Sequence, residues 1–394
     1  MKICAIICEY NPFHFGHLYH LREARRLTDC DAVLCIMSGN FVQRGEAALL
    51  DKYERAAHAV RAGADAVVEL PSVFCTSSAE FFASGAIKLL SCVPGVTWLS
   101  FGAESGSAED FLAAARALND EPPSVSEEIS RRMREGTGFV RARAEAWKNH
   151  LPDMPDLPNN ILGTEYARAA LRFFPELQLV PVPRTGSGYS DKVLNGKYSS
   201  ATAVRAAFFR GERESLAEAV PAYVAESLAR FSGYTDSDRL ELLEKYALLN
   251  VSRQRLASIT DCKEGLENAL KRAAKSNVRD IPAALTSRRY TTSRIRRILL
   301  QNLLGITECF VRECLNAPLY LRLLAIGNGR EEILSALGNA TVPLLAKTGD
   351  EKRLTGIAKE CAEKDLFADE VFRLVKNLAP GKKRIFSGGP QTFA

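Results

Sequence analysis

Apolar positions in the first half of the chain fall into short continuous runs separated by stretches of helical period. Ile3 to Cys8, Ala32 to Met37, Ala66 to Leu70, Val96 to Phe101 and Leu177 to Val182 are such runs, and each reads as a strand buried on both faces. Between them, Leu18 to Leu27, Leu49 to Ala62, Ser78 to Leu90, Ala108 to Leu118 and Asn159 to Phe174 repeat apolar residues at helical spacing. Gly63 supplies a helix stop and Asn159 a cap. This alternation predicts an α/β fold, a Rossmann-like parallel sheet covered by helices on both faces. Phe41 to Glu46 reads as a polar loop. Glu121-Pro122-Pro123 breaks the pattern, and a charge-rich helical excursion follows over about 121–158.

From about Glu212 onward strand signals fade. Leu240 to Leu249, Gly265 to Ala274, Thr292 to Leu304 and Leu366 to Leu378 are amphipathic at helical period. The expected organisation is a nucleotide-binding domain over 1–212, a mostly α-helical domain over 213–380, and a flexible Gly- and Lys-rich tail over 381–394. A chain of 394 residues can bury two cores. The ten cysteines include no CxxC pair. Several lie inside apolar runs, which favours reduced thiols over a zinc site. No signal peptide or membrane span is legible, so a soluble cytoplasmic protein is expected.

In parallel sheets ligands bind beyond the carboxyl ends of the strands. Three polar, glycine-containing segments occupy such ends: Cys8 to His20, Ser38-Gly39-Asn40 and Phe101-Gly102-Ala103. In the first, Asn11-Pro12 marks a turn and Gly16 permits close approach to the backbone. His14 and His17 fall where a helix begins, where unpaired N–H groups and the helix dipole favour a phosphate. His20, one turn on, reads equally well as a core histidine, and each glycine alone reads as a chain turn. After the fifth strand, Arg184 to Lys197 is polar and glycine-rich and suits a lid. Ser200, Thr202 and Arg205 then open a helix whose N–H, hydroxyl and guanidinium donors suit a triphosphate, or form an ordinary cap with a solvated arginine. Lys52 and Arg44 are further candidates for pyrophosphate contacts. There is no GxxxxGKS loop.

The second half carries a one-sided basic segment. Lys271, Arg272, Lys275, Arg279, Arg288, Arg289, Arg294, Arg296 and Arg297 lie there with Asp280 as the sole acid between them, and Tyr290 among them. Charge with hydroxyls and an aromatic suits an RNA backbone and an unpaired base, against the alternative of a solvated helix face.

The pair His14-Phe15-Gly16-His17 and Ser200 to Arg205 resembles the HIGH-type nucleotidyltransferase superfamily, in which HxGH and a later (S/T)xxxxR-like element grip ATP. Glu9 to His17, Ser38 to Glu46, Pro158 to Gly163 and the segment Arg288-Arg289-Tyr290-Thr291, taken as helical, are together similar to the bacterial tRNA(Met) cytidine acetate ligases, over roughly residues 1–330. That resemblance implies activation of free acetate by ATP, without acetyl-CoA. It implies transfer of the acetyl group to N4 of the wobble cytidine of elongator tRNA(Met). It places ATP on Ile7, Cys8, Glu9, Tyr10, Asn11, Pro12, Phe13, His14, Phe15, Gly16, His17, Leu18, Tyr19 and His20, with Gly102, Asn160, Arg184 and Thr185. His14 and His17 are the expected catalytic pair, stabilising phosphoryl charge. Mg²⁺ is expected with ATP, with no carboxylate cage for it. Lys271, Arg272, Lys275, Arg288, Arg289, Arg294 and Arg297 become the candidate tRNA contacts. A small-molecule adenylyltransferase would leave the basic half without a role, and a non-catalytic RNA-binding protein would leave the histidines without one.

Overall fold

The computed structural model describes residues 1–147, 158–184, 194, 198–233, 237–347, 349–377 and 391–393. Its strands are β1 (Ile3–Cys8), β2 (Ala32–Ser38), β3 (Phe41–Val42), β4 (Glu46–Ala47), β5 (Ala66–Leu70), β6 (Val96–Ala103), β7 (Gln178–Pro183), β8 (Leu321–Gly327), β9 (Leu344–Leu345) and β10 (Gln391–Phe393). The main sheet runs β10-β8-β5-β2-β1-β6-β7, with β9 on β8. β5, β2, β1, β6 and β7 are mutually parallel. Chain order grows outward from β1 in one direction and then restarts at β6 on its other side. The crevice between β1 and β6 is therefore the switch point where ligands of such sheets sit.

Alternation along the strands divides the core into two. Ile3, Ala5 and Ile7 pack with Leu34 and Ile36 on one face, and Cys4, Ile6 and Cys8 with Val33, Cys35 and Met37 on the other. The helices of this half are α1 (Phe15–Thr28), α2 (Lys52–Arg61), α3 (Ser72–Cys75), α4 (Ala79–Ser91), α5 (Ala108–Asn119), α6 (Pro123–Arg134), α7 (Phe139–Trp147), α8 (Pro158–Phe173) and α9 (Ala201–Arg210); α6 and α7 pack on each other in a small core of their own, and the rest cover the sheet. The excursion is two helices rather than one, because Gly136 turns the chain at φ +90° between α6 and α7. The helical half follows as α10 (Arg213–Ala219), α11 (Ala222–Arg230), α12 (Asp238–Asn250), α13 (Arg253–Ala257), α14 (Leu266–Ala274), α15 (Ile281–Leu285), α16 (Thr292–Leu304), α17 (Glu308–Asn316), α18 (Glu331–Gly338) and α19 (Gly356–Val375).

Three expectations change. β8 returns to the main sheet antiparallel to β5, although Leu321-Arg322-Leu323-Leu324-Ala325 is made of helix-favouring residues; burial on the sheet outweighs local propensity. In the tail, Gln391–Phe393 pairs with β8, while 381–390 and 394 lie outside the described residues. The expected polar loop at Phe41 to Glu46 is the small hairpin β3–β4.

Two buried cations of α2 hold these parts together. Lys52, fully buried, donates from Nζ to Glu69 Oε1 at 2.8 Å on β5 and to Asp369 Oδ2 at 2.7 Å on α19. Asp369 also accepts from Asn40 Nδ2 at 2.8 Å, and Asn40 Oδ1 accepts the Lys52 N–H at 2.8 Å. Arg55, equally buried, donates to the carbonyls of Glu9, Ser38, Gly39 and Leu50. It thus ties the ends of β1 and β2 to the loop entering α2. Asp369 is pushed up to about 7, chiefly by burial. Replacing Lys52 by alanine leaves two buried carboxylates without their ammonium, and a loss of about 3–5 kcal/mol is expected from urea unfolding. A loss under about 1 kcal/mol would show the cluster to be dispensable.

Candidate active site

The chain leaves β1 through Tyr10, which is buried with φ +47°, and enters α1 at His14. His14 is the N-cap of α1. Its Nδ1 accepts the Gly16 N–H at 3.0 Å, and its own N–H donates to His17 Nδ1 at 3.3 Å. Each imidazole therefore spends Nδ1 as an acceptor, and the neutral ring must carry its proton on Nε2. The rings lie 3.7 Å apart, with Tyr10 and Phe13 packed against His17. A β-carbon on Gly16 would stand 2.8 Å from His14 Cε1. The glycine of HxGH is thus required by the histidine folded over it, whereas the sequence suggested close approach of a ligand.

Burial is the first cause of a low pKa at all three histidines. His14 is lowered to about 3, with Arg184 and Arg205 adding to the effect, and His20 to about 4, with Arg184. His17 is also lowered, by burial and then by His14. In the absence of ligand they are neutral N–H donors rather than imidazolium ions.

One cleft collects most of the expected nucleotide residues. Ile7, Cys8, Glu9, Tyr10, Asn11, His14, Gly16, His17, Tyr19, His20, Gly102 and Arg184 line it, together with Arg44, Ser200, Thr202 and Arg205. Ser200 caps α9, its Oγ accepting the Ala203 N–H at 3.1 Å. Arg205 donates to the Asn11 carbonyl at 2.6 Å, joining the start of α9 to the loop before His14. His20 Nε2 lies 2.9 Å from Ser100 Oγ on β6.

Other expected residues do not reach the cleft. Pro12, Phe13, Phe15 and Leu18 are absent from its walls; Phe13 is core and Leu18 packs on the core beneath α1. Asn160 is buried and braces the loop after β6, accepting the Glu104 N–H at 3.0 Å and donating to Ser105 Oγ at 2.9 Å. Lys52 belongs to the buried cluster above and contacts no phosphate site. Thr185, with 186–193 and 195–197 of the expected lid, lies outside the described residues. Gln43, Phe82, Tyr166 and Tyr198 also line the cleft. Gln43 belongs to the quoted Ser38 to Glu46 segment; the aromatics carried no signal distinguishing them from core.

The basic segment separates into two groups. Lys271 Nζ caps α12 by donating to the carbonyls of Leu248 at 2.7 Å and Val251 at 2.7 Å. Arg294 donates to the Asp261 carbonyl at 2.7 Å and to Glu264 Oε2 at 3.2 Å. Arg297 lies 3.7 Å from Asp261 Oδ2 and is mostly covered. These three serve the fold; the acids that hold Arg294 and Arg297 come from just before the segment, where a count starting at Lys271 misses them. Arg272, Lys275, Arg288 and Arg289 are exposed. Arg288 to Thr291 is a bend ahead of α16, not helix, and Thr291 caps that helix.

The hairpin β3–β4 joins the two regions. Gln43, Arg44 and Glu46 face the cleft, Glu46 pairs with Arg296 of α16, and Gly45 sits at φ +74° against the α16 backbone, where a β-carbon would meet Arg297 N at 2.5 Å. Among the described residues no group of three or more His, Cys, Asp or Glu is placed to hold a metal, and no helix is long and apolar enough to cross a membrane.

The cleft thus sets a strand-end histidine pair at the switch point opposite the first turns of α9, an arrangement suited to nucleotidyl transfer. The chain belongs to the HIGH Nucleotidyl Transferase family, which matches it over residues 1–385. Within that class, it is similar to a tRNA(Met) cytidine acetate ligase of Thermoanaerobacter sp. (strain X514), 36% identical over 386 residues and 95% of each chain. The ligase of the same name from Listeria monocytogenes serotype 4b (strain F2365) is 36% identical over 389 residues, 96% of each chain. The apo crystal structure of Thermotoga maritima TmcAL superposes with a TM-score of 0.92 at 30% identity, both chains covered in full. The same protein bound with alpha-thio ATP gives 0.89 at 29% identity, again over both chains in full.

The low histidine pKa values set a sign for stability. Unfolded imidazoles take up protons near pH 6.5, whereas His14 and His20 in the fold resist until about 3 and about 4. At these rings the unfolded state binds more protons in that window, so their contribution to stability falls as pH drops from about 6.5 toward 4, while the raised carboxyl of Asp369 acts with the opposite sign. Thermal melts of the ligand-free protein read the net change, and His20→Gln should lose less of its midpoint on acidification than the unsubstituted protein. The same acid dependence in both would contradict the neutral assignment.

Proposed function

We propose that this protein is a tRNA(Met) cytidine acetate ligase: it activates acetate with ATP and acetylates N4 of the wobble cytidine of elongator tRNA(Met). The observation that carries the reading is the HxGH pair locked by its own backbone as two Nε2–H donors, opposite Thr202 and Arg205. Acetate oxygen attacks the α-phosphate, pyrophosphate leaves, and acetyl-adenylate forms. His14 and His17 donate to the phosphoryl oxygens on which charge develops, in a site whose donors are already aimed. Arg205, Thr202, Ser200 and Arg184 hold the phosphates, with Arg44 nearer the pyrophosphate end. The cytidine amine then displaces AMP from the acyl carbon.

Acetate is taken up free, without acetyl-CoA, and Mg²⁺ arrives on the nucleotide. An ion that keeps most of its waters needs few protein ligands, which suits walls with no carboxylate cluster among the described residues. The reading assigns activation to residues 1–212 and RNA to the helices of 213–380 that stand outside the main sheet, with Arg272, Lys275, Arg288 and Arg289 as the backbone contacts, in the cytoplasm. A small-molecule adenylyltransferase would use the same cleft but has no need for exposed arginines beyond the hairpin.

Two experiments test it. Acetate-dependent ATP–pyrophosphate exchange should fall about 10²–10³-fold in His14→Ala; exchange near the unsubstituted rate would remove the histidine from adenylation. Labelled acetate, ATP and tRNA should yield acetylcytidine on nucleoside analysis. Replacing Arg272, Lys275, Arg288 and Arg289 together should weaken tRNA binding and reduce its salt slope by up to about four, leaving exchange intact. An unchanged slope would move the RNA elsewhere.

A further inference from the structure

Attack by a cytosine N4 on an acyl carbon leaves a cationic nitrogen, which must shed a proton for the amide to persist. The cleft offers few groups able to take it. The Nδ1 atoms of His14 and His17 accept backbone N–H groups, so their Nε2 atoms already carry protons. His20 Nε2 is engaged with Ser100 Oγ at 2.9 Å, and Glu46 is paired with Arg296. Glu9 remains. It stands at the end of β1, half-buried, on the cleft wall between the histidines and the hairpin. Its Oε1 accepts the Gln43 N–H at 2.8 Å, which fixes the carboxylate, while Oε2 makes no hydrogen bond among the described residues.

A carboxylate repels a triphosphate, so Glu9 is poorly explained as an ATP ligand despite lying within the nucleotide motif. Its chemistry suits a donor instead, and the amine edge of cytosine is the donor that carboxylates recognise. It also adjoins the hairpin whose far edge rests on α16, the side from which RNA would arrive.

We propose that Glu9 receives the cytosine amine and acts as proton acceptor for acetyl transfer. The N4 lone pair forms the C–N bond, one N4 proton passes to Glu9 Oε2, and the acyl C–O bond breaks with its electron pair leaving on AMP. This assignment rests on the ligase reading above. Burial raises the Glu9 pKa, opposed by the Gln43 N–H and by Arg205, Arg44 and Arg55. That brings the base nearer to its task. The other titratable neighbours stay out of its range: burial pushes the Cys75 thiol up, and His14 titrates at about 3.

The test bypasses activation by supplying synthetic acetyl-adenylate with tRNA(Met). Glu9→Gln should slow acetylcytidine formation about 10²–10⁴-fold and abolish the acid limb of its pH–rate profile. Added formate should restore transfer in Glu9→Ala, which a purely structural role would not produce. Transfer by Glu9→Gln at the unsubstituted rate would overturn the assignment and send the proton to the nucleotide phosphate. Absence of formate rescue together with a retained acid limb would also overturn it. Failure of the unsubstituted protein to transfer from acetyl-adenylate would overturn the ligase reading itself, and Glu9 with it.

Discussion

A guanidinium without solvent holds the active site in place. Arg55 lies beneath the ends of β1 and β2 and donates to four main-chain carbonyls. Strand ends in a parallel sheet leave such carbonyls without partners just where a ligand must be received. A buried arginine with its five donors can satisfy several of them from one side and leave the other side open. The cost of desolvating its charge is large, and the carbonyls of Glu9, Ser38 and Gly39 offset it. Lys52, three residues earlier, does the corresponding work for carboxylates, so that a short helix of the sheet domain fastens both the cleft loops and α19.

The histidines illustrate how local backbone geometry decides chemistry. Position alone suggested two rings beside a phosphate. The N-cap arrangement adds which nitrogen is spent and which is available, and burial adds that the rings are neutral before nucleotide arrives. Neutral rings can still donate Nε2–H to a polyanion, and they become more basic as phosphate charge accumulates beside them. The same arrangement removes both rings from consideration as proton acceptors, which is why a carboxylate is needed in the second step.

Much of the sheet was legible because fully buried strands leave continuous apolar runs, and Ala66–Leu70 was read to the residue. The cleft was legible where motif and strand end coincide. β8 was not, since leucine, arginine and alanine carry no strand signature and only the exposed flank of β5 makes them one. Lys52 and Asn160 lie off the cleft wall for a reason the sequence does not carry: a polar residue near a strand end looks the same in sequence whether it faces ligand or supports the loop that does. Arg294 and Arg297 find acidic partners that precede the basic segment, so one-sided charge along the chain is not one-sided charge in space.

The glycine at the hairpin tip has a further consequence. Because Gly45 lies flat on the main chain of α16, the hairpin that supplies one wall of the cleft is backed by the helical half of the molecule. A mixed anhydride such as acetyl-adenylate is short-lived wherever water can reach it. In the ligase reading, the survival time of the activated acetyl group then depends on how tightly the hairpin seats on α16, so that intermediate lifetime becomes a property of that seam.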